Sequence, residues 1–80
     1  MKVTVFIRPK QGILDPQGEA VVGSLRKLGF AVGTARVGRL VDLEVEAASP
    51  EEARAQVERM CADLLANPLI ESYEIEVEGT

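Results

Sequence analysis

The sequence predicts an α+β protein of ferredoxin-like type. This is a two-layer sandwich in the order βαββαβ, an antiparallel sheet with two helices on one face. Three observations carry the expectation. Runs of period two alternate with two amphipathic helical stretches. Each helical stretch opens on a proline-containing cap, Asp15-Pro16 and Ser49-Pro50. The two halves of the chain also repeat one plan: strand, capped helix, Gly or Asn stop, strand.

In the first run, Val3, Val5 and Ile7 alternate with Lys2, Thr4, Phe6 and Arg8, and Pro9 to Gly12 end it. The first helix is expected over Pro16 to Leu28. An Asp at the N-cap accepts a backbone N–H, and a Pro at the first helical position lacks only a donor that would have no helical partner. Val21, Leu25 and Leu28 recur at helical spacing with Val22 beside them. Arg26 and Lys27 suit the negative end of the helix dipole, and Gly29 is the left-handed stop. Two strands are expected next, Phe30 to Val37 and Leu40 to Ala47, joined by a two-residue turn at Gly38-Arg39. Val32 and Val37 are out of phase, which predicts a bulge or bend in the first of them.

Ser49-Pro50-Glu51-Glu52 is a capping box, with Ser at the N-cap and Glu at the third helical position. Ala53, Val57, Met60, Cys61 and Leu64 then form one apolar stripe, and Asn67-Pro68 stops the helix. Tyr73, Ile75 and Val77 alternate with Glu74, Glu76 and Glu78 in a last strand. Right-handed crossovers put both helices on one side of the sheet. The open side would carry Thr4, Phe6, Leu40 and, at its margin, Ile70, and is expected to pack on a second copy.

No composition shift or linker divides the chain, so residues 1–80 are expected to form a single domain. At 80 residues such a domain has a marginal core, and small domains usually add disulfides, a metal or an oligomer. One cysteine and no histidine leave association as the route. A net charge of −4 with no Trp argues against nucleic-acid binding. The apolar runs are too short to span a bilayer, no secretion signal is read, and the lone cysteine fits a reducing cytoplasm.

The residues that could carry chemistry read more simply as structure. Gly18 and Gly23 before Ser24 have the glycine spacing of a phosphate loop, but no lysine precedes the Ser and the stretch is helical. Cys61 lies on an apolar stripe and reads as a buried thiol. The rows Asp42-Glu44-Glu46 and Glu74-Glu76-Glu78 read as solvated strand faces. The basic loop Arg8 to Gly12 reads as an ordinary connection. Arg36 and Arg39, at the tip of the expected turn, fit either recognition of a partner carboxylate or solubility. No catalytic, cofactor-binding or metal-binding set emerges.

Three segments carry a resemblance: Leu14-Asp15-Pro16-Gln17-Gly18, Arg36-Val37-Gly38-Arg39, and Cys61 through Leu65-Ala66-Asn67-Pro68-Leu69-Ile70-Glu71-Ser72-Tyr73. Together they resemble the PurS family across essentially the whole chain, with Arg39 where a lysine is usual. The resemblance implies the small subunit of phosphoribosylformylglycinamidine synthase in purine biosynthesis. Such a subunit, as a dimer or a tetramer, would bridge a glutaminase subunit and an ATP-using synthetase subunit. It would assist ammonia transfer in making formylglycinamidine ribonucleotide from formylglycinamide ribonucleotide. The complex would use ATP and magnesium, and this subunit would bind no cofactor. Under that reading Asp15, Gln17, Arg36, Arg39, Asn67 and Tyr73 are candidate docking residues. Asp15 and Asn67 have an equally good explanation as caps. Arg36 and Arg39 have none, so replacing both is expected to spare the fold and weaken assembly. The alternative is an ACT-like module that senses a small molecule at a dimer interface. An acylphosphatase-like hydrolase fits less well, because the loop after the first strand holds Pro9 where donors would be needed.

Overall fold

The structure, a computed structural model, describes residues 1–78. The order is β1 (Lys2–Pro9), α1 (Pro16–Lys27), β2 (Arg39–Glu44), α2 (Pro50–Met60), a π-helical turn (Cys61–Leu65) and β3 (Glu71–Val77). The sheet has three strands in the order β2-β1-β3, both pairings antiparallel. β1 is central, with Val5 opposite Val41 on one side and Ile75 on the other.

The core lies between this sheet and α2. Val3, Val5, Ile7 and Val77 meet Ala53, Val57, Cys61 and Ala66, all buried. Alternation along the strands places Lys2, Thr4, Phe6 and Arg8 on the opposite face, where the Thr4 hydroxyl donates to Asp42 and Arg8 pairs with Glu74. α2 begins as the sequence predicts. The Ser49 hydroxyl accepts from the Glu52 N–H at 3.1 Å, and the Glu52 carboxylate accepts from the Ala48 N–H. Its end differs: the helix widens at Cys61, where the Ala66 N–H reaches back five residues to the Cys61 carbonyl at 3.1 Å. The extra residue leaves Cys61 and Ala66 in the core and turns Leu64 outward, 84% exposed.

α1 also starts and stops as expected. Asp15 accepts from the Gly18 N–H at 3.0 Å. Gly29, at φ +97°, donates to the Arg26 carbonyl while Phe30 donates to that of Leu25, the paired bonds of a Schellman stop.

Two expectations fail. The four-stranded order is not formed, because 30–38 has no sheet partner among the described residues and no turn forms at Gly38-Arg39. The chain runs straight through that dipeptide instead. In the β1–β2 register Ile7 faces Arg39, and the same spacing brings Arg36 back to Pro9 and Lys10, whose carbonyls it binds. Gly38 lies so close to the Ile7 carbonyl that a Cβ there would collide with it. The second failure follows from the first. α1 does not lie on the sheet beside α2; it makes no extended packing with the sheet or with α2. It runs outward, and residues 30–37 return along it to form an arm beyond the end of the sheet. The molecule therefore spans 50 × 26 × 15 Å with a radius of gyration of 15.8 Å. A compact chain of this length would have about 12 Å.

Candidate functional site

Every residue singled out for docking lies where the arm joins the sheet, at the last residues of β1 and the first of β2 and β3. Two carboxylates organise that junction.

Asp15 is the first. One oxygen caps α1 through Gly18, and the other accepts from the Val37 N–H at 2.8 Å. The Arg36 guanidinium stands 3.7 Å from the second oxygen. These donors, Val37 first, then Gly18, and more weakly the Arg36 charge, hold the Asp15 carboxyl below its ordinary range against the opposing effect of desolvation. Asp15 thus fastens the returning strand of the arm to the start of its helix. Gly18 is buried there, where a Cβ would collide with the Ala35 carbonyl and press on the Asp15 carboxylate. Gln17, in the same turn, is exposed.

Glu71 is the second, and the sequence reading missed it as a site residue. Its carboxylate accepts from the Asn67 N–H at 2.8 Å and from the Arg39 guanidinium at 2.8 and 2.9 Å. The Asn67 bond chiefly, with Arg39, holds it below its ordinary range despite desolvation. Arg39 also donates to the Leu65 carbonyl at 3.0 Å, joining β2 to the end of the π-turn. Asn67 closes its own loop by accepting from the Leu69 N–H. Lys10 crosses to the same loop, its ammonium on the Pro68 carbonyl at 2.7 Å and its N–H on that of Ile70. Tyr73 pairs with Ile7 across β1 and is 39% exposed.

This corrects one expectation. Arg36 and Arg39 are not spare charges at a turn; each ties down backbone carbonyls of another segment. The sequence offered no signal for it, since their partners lie 26 to 32 residues away. Apolar side chains also face solvent around the junction: Leu14, Leu69 and Ile70 at 71, 82 and 43% exposure, with Leu64 close by in sequence. An open groove of about 500 Å³ runs between α1 and the returning strand, lined by Leu14, Val22, Arg26 and Thr34 among others.

Among the described residues, no group of three His, Cys, Asp or Glu side chains is placed to hold a metal ion. Cys61 is fully buried, and desolvation, with the nearby Glu58 charge, pushes its thiol up. No helix among the described residues is long and apolar enough to cross a membrane.

Comparison with known proteins places this arrangement. The family model PurS, described as phosphoribosylformylglycinamidine (FGAM) synthase, matches residues 2–79. The phosphoribosylformylglycinamidine synthase subunit PurS of Methanocaldococcus jannaschii is 41% identical over 78 residues, covering 96% of this chain and 94% of that one. The crystal structure of the same organism's PurS, one of the subunits of formylglycinamide ribonucleotide amidotransferase, superposes with a TM-score of 0.88. It is 40% identical there, over 99% of this chain and 96% of that one. A chain in the structure of PurLQS from Thermotoga maritima superposes with a TM-score of 0.87 at 36% identity, over 94% and 93%. A match along nearly the whole chain, in sequence and in backbone, shows that this protein belongs to the PurS family.

Proposed function

We propose that the chain is the non-catalytic small subunit of a phosphoribosylformylglycinamidine synthase in purine biosynthesis, working in the cytoplasm. It holds a glutaminase and an ATP-using synthetase together and helps ammonia pass between them. One observation carries the reading: the family match over residues 2–79, which includes a relative found in a PurLQS assembly. The site agrees with it. The charged side chains at the junction are engaged in holding segments together, while Leu14, Leu69 and Ile70 face outward. Such a surface serves docking better than turnover. Ammonia released into water would be protonated and diluted, so a shielded interface between subunits preserves it as a nucleophile. ATP and magnesium belong to the synthetase and not to this chain. The chain acts as a dimer or a pair of dimers, since α1 has no packing layer of its own.

Reconstitution tests this. Glutamine-dependent formation of the amidine is expected only when this chain is mixed with the glutaminase and synthetase, and all three should co-elute. Leu69→Asp and Leu64→Asp, at the two most exposed leucines, are expected to weaken co-elution while leaving the far-ultraviolet circular dichroism unchanged. An undiminished glutamine-dependent rate from the two large subunits alone would overturn the reading.

A further inference from the structure

The far edge of the sheet is open at β3. This strand pairs with β1 on one side, and its other side meets no strand among the described residues. The ladder fixes which groups are left over. The Lys10 N–H bonds the Ile70 carbonyl, and the Glu78 N–H bonds the Lys2 carbonyl. In an antiparallel ladder such bonds fall on every second residue, so Ser72, Glu74 and Glu76 also bond β1. Tyr73 and Ile75 therefore turn their N–H and C=O groups to the open side. An edge of this kind takes up an extended segment as one more strand.

The side chains select the segment. On the face away from the core, β3 carries Ser72, Glu74 and Glu76, with Glu78 next in the row. Glu74 is 72% exposed and meets Arg8 at 3.3 Å, an exposed pair that holds it weakly. Glu76 and Glu78 are exposed and have no ion-pair partner among the described residues. On the core face Tyr73 is 39% exposed, and Ile75 is half-buried at the margin of the core.

This pattern decides between a second copy and a different protein. Two β3 edges paired antiparallel, with their core faces on one side, set Glu74 against Glu76, Glu74 against Glu74, or Glu76 against Glu76, according to register. Like charges directly opposite each other destabilise a strand pair. The edge thus repels its own kind and suits a strand of opposite charge. The other edge, β2, offers less: its outer row begins with Leu40, and Asp42 already accepts from the Thr4 hydroxyl at 2.8 Å.

We infer that β3 takes up an extended segment of one of the large partner subunits, in which lysine or arginine alternates with apolar side chains. The basic side chains lie over Glu74 and Glu76, and the apolar ones cover Tyr73 and Ile75. Main-chain bonds hold the segment, and charge chooses it. The inference rests on the adaptor reading for which protein supplies the strand; the chemistry of that strand is read from β3 alone.

Two measurements test it. First, the purified, isotope-labelled full chain is titrated with a short capped peptide that alternates lysine with valine, and amide shifts are followed by NMR. Saturable shifts are expected along Glu71–Val77, and a glutamate–valine peptide is expected to produce none there. Glu74→Lys together with Glu76→Lys should reverse the preference. Second, that double variant is mixed with the glutaminase and the synthetase. It is expected to lose co-elution with one of them at concentrations where the parent is retained, with the mass and circular dichroism of the chain alone unchanged. Shifts that do not saturate, that fall on β2 instead, or that are the same with both peptides overturn the inference. So does undiminished co-elution of the double variant. A parent chain that binds the lysine peptide at β3 but joins neither large subunit sinks the adaptor reading, and with it the source of the strand, while upholding the chemistry of the edge.

Discussion

The two ends of this molecule are built on different terms. The sheet, α2 and its π-helical turn close on themselves: the largest fully buried side chains among the described residues, Ile7, Val3, Val5, Val57 and Cys61, belong to them. The arm has equally good local structure, capped by Asp15 and stopped by Gly29, yet Val21, Leu28 and Phe30 lie 40, 73 and 59% exposed. Good local signals therefore say that an element forms, not that the same chain supplies its packing partner. One region carries the stability of the single chain, and the other is available for association.

Substitutions can break or sharpen that contrast. The largest effect is expected from Ile7→Ala, which should cost about 2–5 kcal/mol in urea unfolding at any protein concentration. Leu28→Ala should leave an isolated chain within about 0.5 kcal/mol and act only where chains associate, seen as a concentration-dependent Tm. Next comes Gly18→Ala, whose Cβ would strike the Ala35 carbonyl and the Asp15 carboxylate. A loss of about 1–3 kcal/mol is expected by thermal melting. Ser49→Ala, which removes the cap of α2, should cost about 1 kcal/mol in the same measurement. Gly23→Ala has the opposite sign. It lies in the interior of α1 with open space around its Cβ position, so about 1 kcal/mol of stabilisation is expected.

The smallest effect is on pH dependence. Asp15 and Glu71 both titrate below their ordinary values in the folded chain, so between the folded and unfolded values the unfolded state binds more protons. Their contribution is complete above the ordinary carboxylate range, near about pH 4, and is lost as pH falls through the folded values. Melts of Asp15→Asn and Glu71→Gln below that range should show a shallower acid loss than the parent.

Much of the fold was legible in the sequence because its signals are local. Both caps, the glycine stop of α1, the alternation of β1 and β3, and the α2 stripe through Ala53, Val57 and Cys61 all stand as read. Gly38-Arg39 was misread, because a glycine between two alternating runs looks the same whether it turns the chain or lets another backbone approach. Arg36 and Arg39 were misjudged for a related reason. A guanidinium that binds a carbonyl 26 residues away leaves no trace in its own neighbourhood, and the part played by Glu71 was hidden with it. The widening at Cys61 likewise depends on how the turn after α2 seats Ala66 in the core, which helical spacing does not encode.

The placement of Cys61 has a practical consequence. As the lone thiol of the chain, buried and with its pKa pushed up by desolvation, it is expected to react slowly with maleimides and disulfide reagents while the chain is folded. A cysteine introduced at the surface can then be tagged by itself in the otherwise unaltered protein, with the native residue left to its packing role.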